Sequence, residues 1–74
     1  STSLRHVDPA RNMARFYSMQ VQPSLFVFFL LIREWGRIGQ AGTVMATAYP
    51  TQTEAEEALA RLEHQKARRG YLPS

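Results

Sequence analysis

Residues 25–49 read LFVFFLLIREWGRIGQAGTVMATAY. Leu25–Ile38 is rich in β-forming residues and, in its first half, apolar at both parities, which is typical of a central strand covered on both faces. Gly39–Gly42 contains two glycines, which favour a hairpin turn. Thr43–Tyr49 has enough β-forming residues to return as the neighbouring strand. The segment therefore predicts two antiparallel strands.

Two further strands are predicted before this hairpin. Apolar and polar residues alternate over residues 4–8, and Pro9 then ends the pattern. A clearer alternation of period two runs from Asn12 to Gln22 and stops at Pro23. With the hairpin, these strands form an antiparallel meander.

A helix is predicted after the hairpin, from about Thr53 to Arg69. Four apolar residues recur at helical spacing and form one narrow stripe: Ala55, Ala58, Leu59 and Leu62. Two overlapping capping boxes, one starting at Thr51 and one at Thr53, compete for the helix start. Gly70 is a natural residue to end the helix.

These elements predict a small α+β fold, with one C-terminal helix packed on an antiparallel sheet of four to five strands. A chain of 74 residues suffices for one domain, so we assign residues 1–74 to a single unit. We expect the apolar stripe of the helix to be buried against Phe28, Leu30 or Ile32.

The second half of the long strand carries a different pattern. Arg33, Trp35 and Arg37 share one parity, so their side chains project in parallel, roughly 6.5–7 Å apart. If the even residues lie under the helix, alternation sends this trio to the opposite face, with Trp35 at least partly accessible. Such a stripe can hold phosphates while the indole packs on a base or sugar.

A structural interpretation of the same residues stays open. Trp35 can be a core aromatic residue whose neighbouring arginines pair with carboxylates: Glu34, Glu56 or Glu57. The helix end carries three further cations: Lys66, Arg68 and Arg69. They are either a supporting basic patch for a nucleic acid or an ordinary solvated helix terminus.

The charge balance favours anionic partners. Nine Lys and Arg residues stand against six Asp and Glu, and eight of the nine cations are arginine, whose planar fork suits phosphate geometry. There is no cysteine, and the longest apolar run, Leu25–Ile32, is far shorter than the ~20 residues of a membrane span. We therefore expect a cytoplasmic protein with no membrane partner.

Little in the sequence suggests catalysis. His6 and Asp8 share a strand face, but no third metal ligand has matching spacing. Gly36, Gly39 and Gly42 precede a strand and so do not form a phosphate-binding loop ahead of a helix. We expect no enzymatic activity, no metal and no cofactor.

The segment REWGRIG at residues 33–39 resembles the signature of the WGR domain family, named for its Trp-Gly-Arg tripeptide. The similarity extends to Asn12–Tyr17, which resembles the strand before the signature, and to Thr53–Ala58 and Lys66–Tyr71, which resemble the start and end of the family helix. One stretch departs from the family pattern: members often carry a glycine and a tryptophan where this chain has Val27–Phe29.

This resemblance implies a small antiparallel sheet with one helix, and binding rather than catalysis. In the nuclear poly(ADP-ribose) polymerases the domain contacts DNA near a strand break through its Trp, and contacts neighbouring domains through its Arg. Trp35 and Arg37 match those residues. The expected partner is DNA or another nucleic acid, bound at an end or break by Arg33, Trp35, Gly36 and Arg37. The alternative is a protein-interaction module or a homodimer, using the same strand or the apolar Leu25–Ile32 segment.

Overall fold

The computed structural model describes all 74 residues. The chain forms five strands and one helix, with a single 3-10 turn after the first strand. Their bounds are β1 (Thr2–Asp8), β2 (Met13–Pro23), β3 (Phe29–Arg37), β4 (Thr43–Tyr49), α1 (Gln52–Arg68) and β5 (Leu72–Pro73). The sheet has the order β4-β3-β2-β1-β5, and every pairing between neighbours is antiparallel. The predicted α+β fold is thus confirmed.

The long strand begins later than the sequence suggests. Leu25–Phe28 is a turn and not part of β3. Ser24 closes this turn with two hydrogen bonds. The Ser24 N–H donates to the Phe28 carbonyl at 3.1 Å, and the Ser24 hydroxyl accepts the Phe26 N–H at 2.9 Å. The apolar side chains at the tip, Leu25, Phe26 and Val27, point into solvent.

The helix covers the face of β3 that was predicted to be free. The core cluster consists of Leu4, Tyr17, Met19, Leu31, Ala58 and Leu59. Leu31 is 1% exposed, whereas Leu30 and Ile32 lie on the other side of the sheet and are only half-buried. The prediction that α1 packs on Phe28, Leu30 or Ile32 is therefore wrong.

The register with β2 explains this choice of face. Val21 lies opposite Leu31, and Met19 lies opposite Arg33, so the apolar parity of β2 joins the odd residues of β3. The even residues, Leu30 and Ile32, lie opposite two glutamines instead. Burying that face would place polar amide groups under the helix, which is costly without partners.

The ends of α1 follow local capping rules. The Thr51 side chain accepts the Glu54 N–H at 3.1 Å, so the first of the two competing capping boxes starts the helix. At the other end Gly70 has φ +97°, its N–H bonds Ala67, and the Tyr71 N–H bonds Lys66, which is a Schellman motif. This turn brings Tyr71 back onto the core and allows β5 to pair with β1.

α1 is neither long nor apolar enough to cross a membrane.

Candidate functional site

Trp35 and Tyr17 form an aromatic stack on the helix side of the sheet. The two residues are direct partners on β3 and β2, with ring centroids 5.7 Å apart and planes 13° apart. Tyr17 is buried, whereas Trp35 is half-buried beyond the C-terminal part of α1. The prediction that Trp35 lies on the opposite face from the helix is wrong. Its partial accessibility agrees with the expectation from the sequence.

Cations surround this stack. The Arg33 guanidinium carbon lies 5.5 Å from the centroid of the Trp35 ring, and its Nη1 donates to the Tyr17 hydroxyl at 3.3 Å. The Lys66 ammonium lies 4.5 Å from the centroid of the Tyr17 ring and 5.8 Å from that of Tyr71. Both side chains are held in place by cation–π attraction while their donors stay close to solvent.

Together these groups line an open cleft of about 650 Å³. Its wall contains four cations, three aromatic rings and one glycine: Arg15, Tyr17, Arg33, Trp35, Gly36, Arg37, Lys66 and Tyr71. No carboxylate lines it, and the single ion pair of the structure joins Asp8 to Arg11. The alternative in which the signature arginines pair with glutamates is therefore wrong. No carboxylate of the chain neutralises the positive charge of the cleft.

The electrostatics of Lys66 reflect this surplus of cations. Partial burial lowers the pKa of Lys66 below its usual value, and the nearby charges of Arg69 and Arg33 lower it further. An anion in the cleft would act in the opposite direction, since negative charge favours the protonated ammonium.

Arg37 is oriented by Asn12, which lies in the turn just before β2. Its Nη1 donates to the Asn12 carbonyl oxygen at 3.2 Å, and its Nη2 donates to Asn12 Oδ1 at 3.4 Å. Asn12 has φ +52°, a left-handed conformation that asparagine tolerates better than most residues. The guanidinium is exposed, yet it is held at the rim of the cleft.

Comparison with known proteins identifies the family. The model of the WGR domain family matches residues 1–74, the whole chain. The chain belongs to the WGR domain family. This WGR domain is similar to the uncharacterized protein y4dW of Sinorhizobium fredii, with 41% identity over 70 residues. That match covers 95% of this chain and 34% of the relative, so the chain spans about a third of the relative's length. No solved structure matches the chain significantly.

The glycine of the WGR tripeptide lies in a closely packed place, and so does its neighbour Gly42. A Cβ on Gly36 would lie 3.1 Å from the Gly42 Cα, and a Cβ on Gly42 would lie 2.6 Å from the Trp35 carbonyl oxygen and 2.8 Å from the Phe16 ring. The two glycines thus let β3 and the start of β4 approach each other beside the indole. This contact fixes the backbone on which Trp35 and Arg37 stand.

The predicted basic patch of the WGR domain divides in two. Lys66 lines the cleft, whereas Arg68 and Arg69 lie beside His64 and Gln65 in a separate shallow depression along the helix. The sequence reasoning missed three lining residues: Arg15, Tyr17 and Tyr71. Arg15 and Tyr17 share the parity of the apolar residues of β2, which was the available signal, but only the register places them beside the signature.

His6 and Asp8 have structural surroundings in this WGR domain. The His6 ring meets the edge of Tyr71 at a centroid distance of 5.4 Å and lies against the backbone of Gly70. Asp8 pairs with Arg11 in the turn that follows β1. No three His, Asp or Glu side chains are grouped so that they could hold a metal ion.

Proposed function

We propose that this WGR domain is a non-catalytic module that binds nucleic acid, with Trp35, Gly36, Arg37 and Arg33 as its main site. The observation that carries the proposal is the composition of the cleft, in which cations and aromatic rings converge without a carboxylate. Phosphate oxygens need cations that no internal carboxylate neutralises, and bases or sugars need exposed rings. A cleft with both kinds of group, and with no histidine, serine or carboxylate, supports binding rather than catalysis.

The cations are arranged to take a phosphate backbone. Arg15 lies opposite Arg37 on β2. Arg33 lies against the Trp35 ring of the aromatic stack, and Lys66 lies against the Tyr17 ring. Neighbouring odd positions of β3 are roughly 6.5–7 Å apart, which is close to the spacing of successive phosphates along a strand. Arg15, Lys66 and the signature arginines then contact phosphates, while Arg68 and Arg69 contribute only long-range attraction.

The indole favours an end or break over continuous duplex. Bases inside a duplex are stacked on both faces, so an aromatic side chain can pack only on a terminal base or an exposed sugar. Trp35 stacks on Tyr17, which holds the indole in position, so the indole presents a fixed surface to such a group. We therefore expect blunt or nicked duplexes to bind more tightly than a closed circle.

The test is a fluorescence anisotropy titration of a labelled blunt-ended duplex at several salt concentrations, with closed circular DNA as competitor. Four phosphate contacts predict that log K falls with log[salt] at a slope of about −3 to −4. Affinity should be modest, because the domain is small. A WGR domain that shows no measurable duplex binding at about 100 mM salt contradicts the proposal, since phosphate contacts dominate such affinities.

A second candidate function is protein binding through the apolar turn. Leu25 and Val27 are almost fully exposed, and Phe26 stacks on Phe28 with ring centroids 5.8 Å apart. Exposed apolar groups of this kind mark interaction sites in many proteins. This function predicts that a variant with both Leu25→Ser and Val27→Ser loses binding to its protein partner. The same variant should keep its affinity for a duplex, because the cleft is unchanged.

A further inference from the structure

Strand β4 is an edge strand with an unusual absence of protection. Its outer side pairs with no other strand of the sheet, whereas at the opposite end of the sheet the two-residue strand β5 covers part of β1. The seven residues TVMATAY carry no charge and no proline, and Val44 is 62% exposed. Natural proteins usually protect a long edge with lysines, prolines or bulges, because unpaired backbone groups recruit another strand.

The hydrogen-bond pattern shows which backbone groups of β4 are unpaired. The Ile38 N–H bonds the carbonyl of its partner Ala14, and the Ser24 N–H bonds the carbonyl of its partner Phe28, so the even residues of β3 bond to β2. The odd residues of β3 must then bond to β4, where their partners are also odd. The N–H and C=O groups that point outward belong to Val44, Ala46 and Ala48.

These three residues are spaced symmetrically about Ala46. From this symmetry we propose that β4 is a self-association site, at which a second copy of this chain adds its own β4 in antiparallel orientation. With a two-fold axis at Ala46, Ala46 faces its own counterpart and Val44 faces Ala48 of the other copy. Each facing pair exchanges two backbone bonds, so the ladder satisfies all six outward groups.

The side chains permit this pairing. Val44, Ala46 and Ala48 are small, uncharged and exposed, and all three point to the sheet face that lacks the helix. In a bonded antiparallel pair the facing Cα atoms are about 5.5 Å apart, which leaves room for two alanine methyl groups. The ladder ends at Pro50, which would face Gly42 and has no N–H to donate. The small, uncharged side chains at the facing positions let a second copy of β4 approach without a clash or a charge repulsion.

The resulting dimer has one ten-stranded sheet. A two-fold axis normal to the sheet keeps both helices on the same face, so the two Trp35 clefts also lie on one side. β4 has only seven residues, so we expect the ladder to bury less than the roughly 1,200 Å² typical of stable interfaces. The expected association is therefore weak, and its detection does not depend on any ligand of the cleft.

The first experiment measures mass and amide exchange together. Sedimentation equilibrium from about 10 µM to about 1 mM, a range suited to small interfaces, should show a shift from 8.5 kDa to twice that mass. Over the same range, NMR hydrogen exchange should slow at the Val44, Ala46 and Ala48 amides. The amides of Met45 and Thr47, which already bond to β3, should change little. A constant monomer mass, or a dimer in which the even amides stay unprotected, overturns the proposal.

The second experiment uses the position of Ala46 on the axis. In Ala46→Lys or Ala46→Glu, like charges would face each other, so each variant alone should remain monomeric. An equimolar mixture of the two should recover the dimer, because opposite charges then meet. Val7→Lys, on the exposed part of the other edge, is the matched control and should dimerise like the parent. Unimpaired dimerisation of both Ala46 variants, or a mixture that stays monomeric, overturns the proposal.

Discussion

Tyr17 and Trp35 face each other across β2 and β3 and stack with their ring centroids 5.7 Å apart. Tyr17 is buried in the core cluster, whereas Trp35 reaches the open cleft. The packing that holds α1 on the sheet therefore also fixes the position of the indole. A side chain that is already ordered loses little entropy when a ligand binds, which favours its use as a recognition surface.

Replacing the indole tests its role in binding. Trp35→Ala should weaken binding to a blunt-ended duplex by about 1–3 kcal/mol and abolish most of the preference for ends, because the stacking surface is lost. Fluorescence anisotropy with blunt and circular DNA measures both effects. Trp35→Phe retains an aromatic surface and should keep part of the preference. Equal affinity of parent and Trp35→Ala for ends and circles would exclude stacking by this residue.

Arg37 lines the cleft and Arg68 lies outside it, so replacing each of them gives a matched comparison. If Arg37 contacts a phosphate, Arg37→Ala should lower the magnitude of the salt slope by about one, whereas Arg68→Ala should leave it nearly unchanged. Salt-dependent anisotropy titrations of both variants measure this difference. A normal slope in Arg37→Ala would instead assign Arg37 to a protein contact, as in the polymerases.

Lys66 should contribute both to binding and to the pH dependence of stability. Its pKa is lowered in the folded state, so between that lowered pKa and the ordinary lysine pKa the unfolded chain holds more protons. The free energy of unfolding should therefore rise with pH across this window. Lys66→Met should remove this rise and weaken duplex binding. Urea unfolding at several pH values, compared between the two proteins, measures the difference. An unchanged pH profile in the variant would contradict the assignment.

Neighbouring leucines test which face of β3 forms the core. Leu31 is 1% exposed beneath α1, whereas Leu30 lies on the face without a helix. Leu31→Ala should cost about 2–5 kcal/mol of unfolding free energy, a large part of the stability of a small domain. Leu30→Ala should cost clearly less, because its side chain is only half-buried. Thermal melts that rank the two variants in the opposite order would contradict this assignment of faces.

Local patterns were sufficient to predict most elements of the fold, although β3 begins at Phe29 and not at Leu25. Thr43–Tyr49 was predicted as a strand with the bounds that β4 has, and the helix was predicted to within one residue at each end. These elements depend on neighbours in the sequence: the Thr51 cap, the glycine after the helix and the alternation of strand residues. The signature at Trp35, Gly36 and Arg37 could be recognised from the sequence for the same reason, because its residues are contiguous.

The face of β3 could not be read from β3 itself, because its first half is apolar at both parities. The choice depends on Val21, Met19 and Tyr17, which the register of β2 places beside the odd residues of β3. Lys66 likewise reaches the Tyr17 ring only because α1 crosses the sheet at that point. Chemical character and local geometry are thus written in the sequence. The pairing of distant residues into one cleft results from burial, which only the packed chain can resolve.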